Sequence, residues 1–151
     1  MTSAKEITRK FCGHDLQHFI DTARIAYILI LEEKLGENPW AGNVNFEKEI
    51  VYGAALLHDV GRWKEYETGE DHAEASAWLA KPILEGAGYS PDEIEIICRA
   101  ILEHRSLPQH PSLLGYILYK ADKLSRSCFN CGAQSECYKW DEKQKRSFLT
   151  Y

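Results

Sequence analysis

The chain has 151 residues, with 18 Lys and Arg against 23 Asp and Glu and a net charge of −5. That length supports one substantial core, and the negative balance argues against broad, sequence-independent nucleic-acid binding, despite a locally basic end at Lys139, Lys143, Lys145 and Arg146. No apolar run reaches membrane-spanning length and the charged start from Met1 to Phe11 lacks a signal-peptide core, so a cytoplasmic setting without a membrane partner is expected.

Hydrophobic periodicity favours helices throughout, and strand-like alternation is absent. From Asp15 to Leu35, Gln17, Asp21, Arg24 and Glu32 mark a polar sector opposite Leu16, Phe19, Ile20, Ala23, Ala26 and Ile30. His18 falls outside that polar sector, in a row with Thr22, Ile25 and Leu29, and is predicted to point inward. One inward histidine is ordinarily a packed, hydrogen-bonded core residue. Gly36 to Asn45, with Pro39 and Trp40, is the longest irregular piece and reads as a connection between helices.

Val51 to Leu57 is apolar nearly all round, as a buried helix is, and Gly61 is a natural stop signal just beyond it. Asp59 is therefore anomalous. Burial disfavours its charge, and a helix C-terminus already carries partial negative charge. A cation removes both penalties, with His58 as a neighbouring ligand; the alternative is a protonated or water-paired carboxyl beside a core histidine.

Further along, Asp71 and Glu74 form an expected capping box around His72, which begins a helix carrying Ala75, Trp78 and Leu79. Pro82 should kink or end that helix. Ser90 and Glu93 open the next helix, whose Ile94, Ile97 and Ile101 lead to His104 in the same stripe. Between Ser112 and Arg126, Leu114, Leu118 and Asp122 form an i, i+4, i+8 row, so a second acid occupies a slot where the period demands an apolar residue. Four histidines and two aspartates, on faces or ends of consecutive helices, read together as a ligand set.

In this pattern the sequence resembles the HD-domain metal-dependent phosphohydrolases, whose signature is His, then His-Asp, then a distant Asp. Here those residues are His18, His58, Asp59 and Asp122. The segments HDLQHFIDTARIA, ALLHDVGRW, DHAEASAWL, AILEHR and LYKADKLSR each look like family helices, and the resemblance spans about residues 11 to 126. It implies an all-α fold, the irregular bundle of five to six main helices over 1–126 that the helical periodicity also suggests; it does not extend to 127–151, which reads as a cysteine-bearing extension packed on the same domain. His72 and His104 match the extra histidines of members that hold two metals. The His14-Asp15 pair reads as a decoy for the His-Asp motif. Family members often carry an Arg three residues after the first ligand, whereas this chain has Asp21 there and Arg24 later, a departure that bears on substrate contacts more than on metal.

Imidazoles and carboxylates suit Mn, Fe, Co, Ni or Zn without choosing sharply among them. With two ions, Asp59 would bridge them, His18, His58 and Asp122 completing one site and His72 and His104 the other. Lys123, Arg126, Arg62 and Lys64 are candidate phosphate grips, each also explicable as a solvated helix face. His14, His72 and His104 are candidate proton donors to a leaving oxygen, and His14 is also a candidate substrate contact.

A second feature is Cys128-Phe129-Asn130-Cys131 with Cys137 beyond it. Thiolates at this spacing chelate a soft metal, with Cys12 or else His14 as a fourth ligand, so that a structural Zn or an iron–sulfur cluster could tie the chain ends together. Free or redox-active thiols are the equal alternative, and Cys98 packs as a small hydrophobe. Three functional readings follow. The leading one is hydrolysis, by metal-activated water, of a phosphomonoester or phosphoanhydride in a nucleotide or other small phosphorylated metabolite, with His58, Asp59 and Asp122 at the catalytic centre. The others are an HD-type di-iron oxygenase and a non-catalytic metal or redox sensor built on the cysteine tail.

Overall fold

The computed structural model describes residues 13–35, 46–137 and 151. Among them the fold is all-α: α1 (Leu16–Leu35), α2 (Lys48–Leu57), α3 (Arg62–Thr68), α4 (His72–Gly86), α5 (Pro91–Glu103) and α6 (Leu113–Leu124), followed by short 3₁₀ turns at Cys128–Asn130 and Gln134–Glu136. No helix among the described residues is long and apolar enough to cross a membrane. The 36–45 connection, Cys12 and the basic run from Lys139 to Arg146 lie outside the described residues.

Small residues let α2 sit at the centre. Val51, Ala54 and Ala55 are fully buried, and this helix packs against α1, α4, α5 and α6. Ala23, Ala26 and Ile30 from α1, Ile97, Ala100 and Ile101 from α5, and Leu114, Ile117, Leu118 and Ala121 from α6 complete one continuous core. Each fully buried Ile or Leu contributes roughly 1.5–3 kcal/mol, enough collectively to carry a polar centre whose burial costs several kcal/mol per unpaired ion. Because α2 runs through the middle, the residues that follow its last turn emerge inside the bundle.

Two local expectations change. Gly61 does not end a helix through a left-handed backbone, since its φ is −89°. It is needed for close approach: a Cβ there would fall on the backbone of Ala75 and Ser76 in α4, and the Gly61 N–H donates to Ser76 Oγ at 2.9 Å. Pro82 neither ends nor breaks α4, which continues to Gly86. Pro82 and Trp78 both lie on the exposed face, away from the apolar core, which is where a missing N–H is least costly.

The caps place the helix ends. Ser90 and Glu93 make the reciprocal box of α5. Asp71 caps α4 alone, accepting from the Ala73 and Glu74 N–H groups. Asp15 Oδ1 accepts the His18 N–H at 2.9 Å in the first turn of α1, so it serves the backbone. Buried Glu103 joins the end of α5 to the start of α6 by accepting from the Ser112 N–H and hydroxyl at 2.9 and 2.5 Å.

Candidate metal centre

Five elements deliver seven side chains to one buried point. His14 precedes α1 and His18 lies in its first turn; His58 and Asp59 follow α2; His72 begins α4; His104 caps the end of α5; Asp122 comes from the last turn of α6. All seven are buried, His58 and His104 at 0% and 2% exposure. Asp59 organises them with its two oxygens. Its Oδ2 faces His14 Nε2 at 3.4 Å and His58 Nε2 at 3.6 Å, while Oδ1 faces His72 Nε2 and His104 Nε2, both at 3.4 Å. Asp122 Oδ1 lies 3.3 Å from His18 Nε2 and 3.8 Å from His58 Nε2.

These spacings suit a shared cation. His18 Nε2, His58 Nε2 and Asp59 Oδ1 are buried without a hydrogen-bond partner, which is costly for polar atoms with nothing to bind. Two ligand atoms bonded to one ion at about 2.1 Å lie about 3.0–3.4 Å apart, close to the separations across the cluster. Three groups have donor atoms within 4.8 Å of one another: His14, His18 and Asp59; His18, His58 and Asp122; and His58, Asp59 and His104. The residues present therefore fit a divalent metal.

The tautomers are set from behind. His58 Nδ1–H donates to the Ala55 carbonyl at 2.7 Å and His104 Nδ1–H to the Ile101 carbonyl at 2.6 Å. Glu65 Oε2, a pure acceptor, holds His72 Nδ1–H at 2.7 Å. Ser125 Oγ lies 3.1 Å from His18 Nδ1, donates to the Asp122 carbonyl at 2.9 Å and accepts from Thr22 Oγ1 at 3.1 Å. One hydroxyl proton and two lone pairs are thereby used, so His18 Nδ1 must be the donor. In each of these four rings the Nε2 lone pair is left facing the centre, the orientation that partners behind a ligating histidine impose.

Charge follows the same geometry. Burial opposes ionisation of Asp59, yet His58, then His104 and His14, hold its carboxyl well below the ordinary range. Asp122 is likewise held well down against burial by His18, His58 and Arg126. For His58, burial works against the charged form, but Asp59 and Asp122 prevail and raise it. Burial lowers His72.

The candidate phosphate grips are engaged with the ligands. Arg126 NH2 donates to Asp122 Oδ2 at 2.8 Å and Lys123 Nζ lies 3.7 Å from the same oxygen, which aims Oδ1 inward. Arg62 NH1 is 3.3 Å from His72 Nε2 and 3.8 Å from Asp59 Oδ1. Lys64 is directed elsewhere, pairing with Glu70 at 3.5 Å.

A groove of about 320 Å³ opens beside the cluster, lined by His18, Gln17, Asp21, Arg126, Cys128 and Cys131 among others. Gly13, which follows Cys12 in sequence, lines it too. Among the described residues, every group close enough to share an ion is made of His and Asp; half-buried Cys128, Cys131 and Cys137 belong to none of these groups.

Sequence reasoning read the His14-Asp15 pair as a decoy for the motif and offered His14 as a proton donor, a substrate contact or a fourth ligand beside the cysteines, but not as a ligand of this centre; its ring faces Asp59 within the cluster. Its place just ahead of the helix that carries His18 was the signal that could have found it. Glu65, Ser125 and Thr22 carried no such signal, being ordinary polar residues until the tertiary structure sets them behind the imidazoles.

The HD domain family model matches residues 15–127. A protein of Clostridium beijerinckii, described only as uncharacterized, is 45% identical over 147 residues, covering 97% of this chain and 85% of its own length. Ribonuclease Y of Enterococcus faecalis is 29% identical over 121 residues, covering 80% of this chain but 19% of that protein. The crystal structure of a predicted HD superfamily hydrolase from an uncultured Thermotogales bacterium superposes with a TM-score of 0.58 at 32% identity, over 74% of this chain and 56% of the other. With the His, His-Asp and Asp positions gathered at one buried point inside the matched span, the chain belongs to the HD-domain family.

Proposed function

We propose that the protein is a metal-dependent phosphohydrolase, cleaving a phosphomonoester or phosphoanhydride of a nucleotide or comparable phosphorylated metabolite. The observation that carries this reading is the convergence of imidazole Nε2 lone pairs and two ionised carboxylates at a buried point in an HD-domain chain. A divalent ion held there supplies Lewis acidity toward a phosphate oxygen and a bound water of lowered pKa. His18, His58, Asp59 and Asp122 hold it, and His14 extends the set on the Asp59 Oδ2 side. Arg126 and Lys123 steady Asp122, and Arg126 brings positive charge to the wall of the groove that receives the substrate. Gln17, Asp21 and Asn130 on its walls offer hydrogen bonds to the polar body of such a substrate. A proton reaches the leaving oxygen from water or from an imidazole not committed to metal. The names of two similar proteins, a ribonuclease and a hydrolase, support hydrolytic chemistry.

The test is phosphate release from a panel of nucleotides and sugar phosphates under nitrogen, with added manganese, for the native chain and Asp59→Ala. Activity that needs Asp59 and no oxygen supports the reading. Oxygen-dependent consumption of a carbon substrate with bound iron would replace it by the oxygenase, and a biological effect lost with Cys131→Ser but kept with Asp59→Ala would replace it by the sensor.

A further inference from the structure

Arg62 stands within the ligand cluster. Its NH1 lies 3.3 Å from His72 Nε2 and 3.8 Å from Asp59 Oδ1, and that same Asp59 oxygen is approached at 3.4 Å by both His72 Nε2 and His104 Nε2. The Glu65 carboxylate keeps the proton on His72 Nδ1, so Nε2 presents a single lone pair, and Arg62, which can only donate, is bonded to it. One lone pair accepts one hydrogen bond or binds one cation, but not both. By distance too, His72 stands apart: it is the one cluster histidine absent from every group of the described residues whose donor atoms come within 4.8 Å of one another.

We infer that the Arg62 guanidinium is a built-in competitor for a second metal position formed by Asp59 Oδ1, His72 and His104. With the guanidinium bonded to His72, the centre takes one ion on the His18, His58 and Asp122 side; a second binds only when Arg62 withdraws. Arg62 begins α3, which buries none of its residues, and its Nε donates to Tyr66 Oη at 3.1 Å within that same short helix, so the side chain can leave His72 without displacing a core element. Arg62 thus sets the number of ions held, rather than whether metal is held at all. This inference rests on the metal-binding reading above.

Calorimetric titration of the metal-free chain with Mn²⁺, with elemental analysis of bound metal after desalting, tests it in the native protein, Arg62→Met and Arg62→Gln, each verified as folded by thermal melting. The expected result is one tight equivalent in the native chain and a second at least tenfold weaker. Both variants should tighten the second step tenfold or more while the first stays within threefold. An unchanged second step in both variants, or two equally tight equivalents in the native chain, overturns the competition while leaving the metal centre intact. Absence of any Asp59-dependent Mn²⁺ binding in all three proteins overturns the metal reading and this inference with it.

Discussion

Ser125 Oγ lies 3.1 Å from His18 Nδ1 although 107 residues separate them in the chain. With its other two hydrogen bonds made to Thr22 and Asp122, the hydroxyl can only accept from His18. The last turn of α6 therefore decides which nitrogen of an α1 histidine is available at the centre.

Ser125→Ala should weaken metal binding about 10-fold to 100-fold, the usual effect of removing the partner behind a ligand, and Ser125→Thr should restore most of it. Metal titration of the two variants measures this; an alanine variant with native affinity would show that the His18 tautomer needs no such support.

Asp59→Ala and His58→Ala should each release the bound metal and reduce phosphate release to background, while the helical circular dichroism spectrum persists because the apolar core is untouched. Turnover retained by a metal-free variant would sink the mechanism.

Gly61→Ala places a methyl group on the Ala75–Ser76 backbone, which cannot yield as a flexible side chain does. A cost of about 1–3 kcal/mol is expected, read as a melting temperature lower by roughly 2–12 °C. Because α4 carries His72, its displacement should also alter metal binding. A Gly61→Ala protein as stable as the native chain would contradict the observed packing.

Acid and base should destabilise the metal-free protein for different reasons. The Asp59 and Asp122 carboxyls are held well below the ordinary carboxylate range when folded, so the stability they contribute is present above that range and lost as pH falls through the lowered folded values. His58 is raised above 6.5, so its contribution is complete below 6.5 and lost as pH rises through the folded value. Melting curves of the metal-free chain should fall at both ends. Metal uptake should rise with pH over the upper window, because binding displaces the His58 proton; a pH-independent affinity there would contradict the raised His58.

Much of this site was legible before any fold was known. His18, Asp122 and His104 sit in apolar rows whose period leaves them one direction to face, and His58-Asp59 closes a helix too apolar to be anywhere but the middle. Local chemistry misled where a neighbour from another part of the chain intervened. Gly61 looked like a stop signal because a stop needs only local backbone, whereas its real constraint is the approach of α4. Pro82 looked like a break because its neighbours Trp78 and Ile83 are apolar and did not mark that side of α4 as the one that meets water.

The sequence by itself determined the helical class, the inward histidines and the two interior acids, because burial of periodic apolar faces is a property of each segment alone. Only the tertiary structure decided that His14 joins them, that Glu65 and Ser125 orient the rings, and that Arg62 contests His72. Those relations are contacts of 2.7–3.4 Å between side chains on different elements, and such distances depend on how the helices pack rather than on how any one of them is spelled.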